Sequence, residues 1–338
     1  MQFLTDHTLL RKEIFDVQEE NFEHLAVRIF QFQCSLNPLY HDYCRTLQVS
    51  VESVEHIRQI PFLPIQFFKS KKITTTQFEP EMVFESSGTT GSVNSKHIIK
   101  DIELYEESFV KNIESTYGNI QEYCVLGLLP SYLERSNSSL VWMVKKLIDK
   151  SIYPQSGFHL TDFENLYNIL LQNEKDSIPT LLVGVTYALL DFFEKHPMRL
   201  SHTIVMETGG MKGRKTEMTR NAVHRRIQEL ASVDDVHSEY GMTELLSQAY
   251  AKKGGIFSCP SWMKVVLRKE DDPFDICYPG SMAENYCTGA INVIDLANLY
   301  SCSFIATDDV GKLYNDGRFE VLGRLDNSDI RGCSLMAI

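Results

Sequence analysis

The most constraining feature of this sequence is the alternation of short apolar runs with longer stretches of helical periodicity. The runs EMVF, YCVLGLL, TLLVGV and HTIVME have the length and composition of buried strands. Between them, apolar side chains recur at helical spacing, as in TYALLDFFEKH and in the stretch carrying Val223, Ile227, Leu230 and Ala231. Strands joined by helices need crossover connections, which predicts an α/β fold with a largely parallel, covered sheet.

The pattern changes after about Gly254, where shorter strand-like pieces are separated by turns, as in GAINVIDLANLY and GKLYNDGRFEVLGR. We therefore predict a large α/β body over residues 1–254 and a β-rich subdomain with a C-terminal tail over residues 255–338. The first part of the body is predicted to be helical from Leu10 to Phe30, until the prolines of PFLPIQFFKSKK impose an irregular segment.

Composition limits the partners and the compartment. The formal net charge of -12 does not favour nucleic acid or an anionic membrane as the main partner. The best apolar candidate for a membrane span, Leu181 to Phe193, is too short and is interrupted by Asp191. The N-terminus does not resemble a signal peptide, and no two of the eight cysteines form a CxxC pair. We predict a soluble cytoplasmic protein with reduced thiols.

The strongest local motif is Ser86-Ser87-Gly88-Thr89-Thr90-Gly91, directly after EMVF. The two glycines let the backbone approach an anion, and the four hydroxyls supply donors with little bulk. Successive N–H groups in such a loop form a concave anion site, although no Gly-Lys-Ser/Thr follows to make it a Walker A loop. The motif predicts a phosphate-binding loop, while its composition also fits a surface turn.

Further motifs follow in the order found in the adenylate-forming superfamily, which includes acyl-CoA synthetases, peptide-synthetase adenylation domains and firefly luciferase. SSGTTG resembles the phosphate loop of this superfamily, and Thr208-Gly209-Gly210 falls where its adenine-contacting glycines lie. Glu239-Tyr240-Gly241-Met242-Thr243-Glu244 resembles the YGxTE element, Thr307-Asp308-Asp309-Val310-Gly311 the TGDxG element, and Gly323-Arg324-Leu325-Asp326 the GRxD element.

This resemblance implies that the body 1–254 binds nucleotide, with ATP and Mg²⁺ as cofactors. Thr243 would contact the α-phosphate, and the carboxylate of Glu244 would hold Mg²⁺, a cation that prefers oxygen ligands. Tyr240, next to Gly241, would offer a flat face to adenine. Asp309 would accept hydrogen bonds from the ribose hydroxyls, with Arg324 nearby, although the neighbouring Asp308 is a second candidate.

Three basic side chains near these motifs are further candidates. Lys96 and His97 lie beside the phosphate loop, where they are predicted to reach the β- or γ-phosphate unless the loop is simply solvated. Lys69, in FFKS, is a candidate for the positive charge that larger superfamily members carry on a separate domain. Its alternative is a solvated lysine after two aromatic residues.

Two departures from the superfamily narrow the resemblance. Larger members continue past GRxD into a mobile domain with a catalytic lysine, and we expect that domain to be absent because the sequence ends at Ile338. The loop also continues as Ser92-Val93-Asn94-Ser95-Lys96-His97 instead of the common Pro-Lys. Both features, with PFLPIQFFKS and the terminal RGCS, resemble the LuxE family of fatty-acyl-protein synthetases over nearly the whole chain.

In that family the adenylated fatty acid passes to a cysteine near the C-terminus and then to an aldehyde-forming reductase, and Cys333 is the matching residue. A thiolate attacks an acyl-adenylate readily, and Arg331 would favour the thiolate form. The alternative is that Cys333 is a small apolar residue that docks the tail.

We therefore predict a ligase that activates a fatty or other acyl acid as acyl-adenylate and transfers the acyl group to Cys333. A reductase or another acceptor would then receive it. Two alternatives stay open, namely an acyl- or aryl-CoA ligase of the phenylacetate type and a non-catalytic nucleotide-binding scaffold.

Overall fold

The structure, a computed structural model, describes residues 7–86, 93–130, 137–160, 162–209, 218–269, 272–280 and 284–325. The helices are α1 (His7–Ile14), α2 (Glu19–Leu36), α3 (Pro38–Thr46), α4 (Phe67–Ser70), α5 (Ile102–Tyr117), α6 (Ser139–Lys150), α7 (Phe163–Lys175), α8 (Thr186–Lys195) and α9 (Arg220–Ala231). The strands are β1 (Leu63–Pro64), β2 (Met82–Glu85), β3 (Lys96–Ile99), β4 (Cys124–Leu128), β5 (Gly157–Phe158), β6 (Thr180–Val185), β7 (Thr203–Thr208), β8 (His237–Tyr240), β9 (Ala249–Ala251), β10 (Met263–Arg268), β11 (Ile276–Cys277), β12 (Tyr286–Asp295), β13 (Phe304–Tyr314) and β14 (Phe319–Arg324).

The alternating part of the chain forms a sheet in the order β5-β4-β6-β7-β8-β9. All neighbouring pairs from β5 to β8 are parallel, and only the edge strand β9 runs antiparallel. The central strand β6 is buried along its whole length, as an apolar run between covering helices should be. The predicted α/β class is therefore confirmed. In the described ranges, no helix combines the length and apolar composition that a membrane crossing requires.

The strand predicted from EMVF forms as β2, but it lies outside this parallel sheet. It pairs antiparallel with β3, so the phosphate-loop motif connects the two strands of a small separate sheet. The reason is length, because the ten residues between Glu85 and Lys96 are fewer than the dozen or more that a crossover between parallel strands needs.

The second large sheet has the order β1-β13-β12-β10-β11, with β14 on β13. Its strands after residue 254 pair antiparallel, which agrees with the shorter strand-like pieces expected there. Strand β1, however, comes from the amino-terminal part and pairs parallel with β13. The division of the chain at residue 254 therefore stays a prediction.

The amino-terminal helices pack against this second sheet. The predicted helix from Leu10 to Phe30 is two helices, and the N–H of Gln18 bonds to the side chain of Asn21 at 2.7 Å where α2 begins. The buried amide of Gln33 donates to the carbonyl of Asn298 at 2.9 Å and accepts from the N–H of Ser303 at 2.9 Å. These bonds fix α2 to the segment between β12 and β13.

Phe304, at the start of β13, is the centre of the aromatic contacts that join the amino-terminal segments to this sheet. Its ring is buried, and its centroid lies 6.3 Å from those of Phe30 and Tyr40 and 6.4 Å from that of Phe62. Three separate segments of the chain therefore pack against one side chain.

Replacing Phe304 by Ala should lower the free energy of unfolding by about 3–5 kcal/mol, because the three surrounding rings cannot close the space that is left. Urea titration followed by circular dichroism measures this change. The matched control is Phe274→Ala, since the Phe274 side chain is 67% exposed. Equal stability of the two variants would contradict this packing role.

Candidate active site

The turn that follows β8 carries Thr243 and Glu244, and buried side chains form hydrogen bonds with its backbone. The carbonyl of Thr243 accepts a hydrogen bond from His97 Nδ1 at 2.9 Å. The next carbonyl, of Glu244, accepts one from Asn298 Nδ2 at 2.8 Å. The peptide groups on either side of Glu244 are thus fixed by residues from β3 and from the segment after β12.

Asp295, at the end of β12, holds the rest of this turn. Its carboxylate accepts from the N–H groups of Leu246 and Ser247, each at 2.9 Å, and from the Ser247 hydroxyl at 2.6 Å. Burial raises the pKa of Asp295 to about 6, while these donors act in the opposite direction. Both carboxylate oxygens accept, which is the pattern expected for the ionised form at neutral pH.

The base of the phosphate-loop motif lies against the same turn. Ser86 and Ser95 close the loop, with an N–H to carbonyl bond of 3.0 Å and a bond of 2.9 Å from the N–H of Ser95 to the Ser86 hydroxyl. The Ser95 side chain lies against the carboxylate of Glu244 and acts to lower its pKa. Of the predicted loop residues, Ser87, Gly88, Thr89, Thr90 and Gly91 lie outside the described residues.

Glu244 is 6% exposed, and burial raises the pKa of its carboxyl group. The hydrogen bond from Ser95 and the positive charges of Lys69 and Arg324 act against this rise. Neither Lys69 nor Arg324 forms an ion pair with it in the described part of the chain. A desolvated carboxylate with so little compensation is suited to a bound cation.

The donor set at Glu244 fits Mg²⁺ better than a metal bound by protein groups alone. Among the described residues, no three His, Cys, Asp or Glu side chains are arranged to hold a metal ion together. Mg²⁺ commonly uses one or two carboxylates, with phosphate oxygens and water completing its octahedral shell.

The two basic residues after the loop lie in different environments. Lys96 is largely exposed, and its Nζ is 3.4 Å from a carboxylate oxygen of Glu85 on the neighbouring strand. His97 is 1% exposed, and its second ring nitrogen, Nε2, is 2.8 Å from the Ser301 hydroxyl. The predicted phosphate contacts of both residues stay predictions, and the ring nitrogens of His97 already have other partners.

Tyr240, Asp309 and Arg324 lie together where the two large sheets meet. The Tyr240 hydroxyl donates to Asp309 Oδ2 at 2.9 Å, and Arg324 Nε is 3.5 Å from Asp309 Oδ1. Burial raises the pKa of Asp309, and these two neighbours oppose that rise. Asp308 faces away and accepts from Gln66. The structure therefore brings Asp309, and not Asp308, to the other predicted residues.

Two glycines of the predicted adenine site have conformational reasons for their identity. Gly209 has a φ of +69°, and its carbonyl accepts from the Thr186 hydroxyl at 2.8 Å. A Cβ on Gly241 would lie 2.2 Å from a carboxylate oxygen of Glu239, so a larger residue would displace that partly buried side chain. Gly210 lies outside the described residues.

Arg220, which the sequence analysis missed, connects the two sheets beside this site. Its Nε is 3.4 Å from Glu207 Oε1 on β7, and its Nη1 donates to the carbonyl of Val321 on β14 at 3.1 Å. Its guanidinium also lies over the ring of Phe257 at 5.2 Å. Arg220 lies in no recognisable sequence motif, and its role could not be predicted because its partners come from distant parts of the chain.

Asp295, Asn298 and Ser301 were missed as well. The sequence feature that could have identified them is their position as polar side chains inside the largely apolar stretch that follows INVI. Polar residues in such a stretch are buried only when they are hydrogen-bonded, which would have suggested a structural role. Cys333 lies outside the described residues, and its predicted role stays a prediction.

The fold is similar to that of proteins solved with ATP. ATP-bound MatB from Rhodopseudomonas palustris matches with a TM-score of 0.53 at 15% identity, over 72% of this chain and 47% of that chain. O-succinylbenzoate coenzyme A synthetase (MenE) from Bacillus subtilis, in complex with ATP and magnesium ion, matches with a TM-score of 0.51 at 16% identity, over 87% and 64% of the two chains. This chain thus spans about half to two thirds of their length.

These likenesses place the chain in the fold class of the adenylate-forming ligases. No curated protein sequence matches it. The model of the acyl-protein synthetase family LuxE matches residues 12–337. The chain therefore belongs to the LuxE family of acyl-protein synthetases, a family of ligases.

The buried ring of His97 predicts a pH dependence of stability. Burial lowers the pKa of His97 from its usual 6.5 to about 4, so between these pH values the unfolded chain binds a proton that the folded chain does not. Stability from this group is complete above pH ~6.5 and falls by about 3 kcal/mol as the pH decreases to ~4. His97→Asn should lack this contribution and show a shallower decline.

Urea unfolding of both proteins at intervals from pH ~7 to ~4 measures the difference, since all other titrating groups are shared. His56→Asn is the control for the loss of a histidine, because the His56 side chain is 69% exposed. Parallel curves for wild type and His97→Asn would contradict the buried neutral ring.

Proposed function

We propose that this protein activates an acyl acid with ATP, forming an acyl-adenylate and releasing pyrophosphate. The observation that carries the proposal is that three separate segments supply complementary groups to one place. At the base of the phosphate-loop motif, Ser95 lies against the carboxylate of Glu244, and Tyr240 on the strand before that turn donates a hydrogen bond to Asp309. Membership of an acyl-protein synthetase family supports the same reaction.

In this reaction a carboxylate oxygen of the acid attacks the α-phosphorus of ATP, and the bond to the pyrophosphate oxygen breaks. Both reactants are anionic, so the contribution of the protein is mainly positioning and electrostatic stabilisation. Asp309 would bind the ribose hydroxyls, Tyr240 would lie against adenine, and the Thr243 hydroxyl would donate to the α-phosphate. The N–H groups and hydroxyls of the loop 86–91 would bind the remaining phosphates.

Mg²⁺, when bound, would neutralise phosphate charge, and Glu244 is the residue that would hold it. Its carboxylate is desolvated and lies beside Ser95 at the base of the loop. The hydrogen bonds to the carbonyls of Thr243 and Glu244 fix the backbone that carries this side chain. Lys69 contributes positive charge near the same carboxylate.

The second half of the proposal is transfer of the acyl group to Cys333. The thiolate would attack the acyl carbonyl, the bond to the phosphate oxygen would break, and AMP would leave with its electron pair. The resulting thioester would then pass its acyl group to a reductase or another acceptor. The acid is a fatty acid or another acyl acid, and this assignment rests on the family.

Replacing Glu244 by Gln keeps the shape of the side chain but removes the charge that would hold Mg²⁺. We expect acid-dependent pyrophosphate exchange to fall by roughly 100-fold or more, equivalent to about 3 kcal/mol of lost transition-state stabilisation. Glu229→Gln is the control, because the Glu229 side chain is 59% exposed on α9. Activity of Glu244→Gln close to wild type would remove the metal-binding role.

Replacing Cys333 by Ser should separate the two half-reactions. The serine hydroxyl stays protonated near neutral pH and is a poor nucleophile without a base, so pyrophosphate exchange should persist while the protein thioester is lost. Intact mass after incubation with ATP and a fatty acid measures the adduct, and hydroxylamine should release it from the wild type.

Cys259→Ser is the matched control, since burial raises the pKa of the Cys259 thiol to about 12 and makes it a poor acyl acceptor. An adduct that survives in Cys333→Ser would place the acceptor at another residue. Exchange without an adduct in either protein would indicate an external acceptor, such as coenzyme A or a carrier protein.

A further inference from the structure

We propose that His97 is a positioning residue that fixes the Thr243–Glu244 peptide through its Nδ1–H, and that it does not bind phosphate. The proposal rests on the proposed adenylation activity. It adds a residue that holds the backbone of the catalytic turn, which is the turn after β8 that carries Thr243 and Glu244. Three observations support it: the bonding of both ring nitrogens, the enclosure of the ring, and its place two residues after Ser95.

The partners of the two ring nitrogens assign the tautomer. The partner of Nδ1 is the carbonyl of Thr243, which can only accept, so Nδ1 carries the proton. Nε2 is then an acceptor, and the Ser301 hydroxyl at 2.8 Å supplies the donor. A ring with this arrangement has no nitrogen left for a phosphate oxygen.

The donor to Nε2 is itself fixed. The carbonyl of Ser301 accepts from Asn37 Nδ2 at 2.9 Å and from the Thr75 hydroxyl at 2.7 Å. These two partners are buried and come from the amino-terminal segments. Ser301 therefore acts as a rigid support that keeps the imidazole ring in one orientation.

Packing around the ring leads to the same conclusion. The ring of Phe68, on α4, packs edge to face with the ring of His97, with centroids 5.6 Å apart and an interplanar angle of 82°. The His97 side chain is almost fully enclosed, so a ligand could reach a ring nitrogen only if Phe68 or the Thr243 turn moved. A phosphate ligand or a general base would instead need an accessible nitrogen.

The location of His97 on β3 makes its bond to Thr243 consequential. Ser95, two residues earlier and just before β3, closes the phosphate loop and lies against the Glu244 carboxylate. His97 bonds the backbone immediately before Glu244. The short segment from Ser95 to His97 therefore contacts the turn of Thr243 and Glu244 at two points, which sets the spacing between the loop and this turn. A misplacement of about 1 Å in such a site can lower a rate by roughly 100-fold.

Two isosteric replacements separate positioning from other roles. The amide nitrogen of Asn can replace Nδ1 as the donor to Thr243, whereas the longer Gln places its amide near the position of Nε2. We expect His97→Asn to retain kcat for pyrophosphate exchange within roughly threefold, and His97→Gln to lose roughly 10- to 100-fold, with KM for ATP nearly unchanged in both. Ser301→Ala should give an intermediate loss, because the ring stays but its support is removed.

The same variants can overturn the proposal. A rise in KM for ATP in both His97 variants at constant kcat would assign the ring to phosphate binding. Equal losses in Asn and Gln variants that follow their thermal stabilities would assign it a structural role only. Nitrogen NMR of the labelled wild type should show the proton on Nδ1, and a proton on Nε2 would refute the tautomer.

Failure of the proposed function gives a different result. A wild-type protein that shows no acid-dependent exchange with any acyl acid would reject adenylation itself, and the positioning role with it. Wild-type exchange that His97→Gln leaves unchanged would reject only the role of His97. His56→Asn, on an exposed surface, controls for the loss of a histidine as such.

Discussion

The arrangement of the site depends on a set of buried hydrogen bonds to the backbone of residues 243–247. His97 comes from β3, Asp295 from the end of β12 and Asn298 from the segment after β12. Together they occupy carbonyl and N–H groups that a turn would otherwise leave unpaired. Such groups would be costly to bury alone, so the turn can be rigid and internal only because these partners exist.

This arrangement also explains the electrostatic state of the site. Burial raises the pKa values of Glu244 and Asp309, whereas contacts with His224, Arg220 and Ser238 leave the pKa of the buried Glu207 lowered. The internal partners of Glu207 therefore outweigh its desolvation, whereas those of Glu244 and Asp309 do not. Buried acids with raised pKa values are common at functional sites. The net direction of the pKa shift thus distinguishes Glu207 from the other two acids.

The sequence predicts the parallel sheet well because its strands are continuous apolar runs. TLLVGV forms β6 with the expected bounds, and the helical pattern after it begins α8 directly. The sequence does not predict that EMVF joins a separate hairpin or that β1 joins the second sheet, because both depend on pairing with residues far along the chain. Local patterns specify which element forms, but the long-range partner specifies the sheet to which it belongs.

The contrast between local pattern and three-dimensional partners also applies to single residues. Two adjacent acids in TDDVG are equivalent as sequence, but successive side chains of a strand point to opposite faces. On β13 this turns Asp309 toward Tyr240 and Arg324, and Asp308 toward Gln66. His97 shows the opposite case, since its closeness to the phosphate loop suggested a ligand. The strand places Lys96 at the surface and buries His97, whose ring bonds the carbonyl of Thr243.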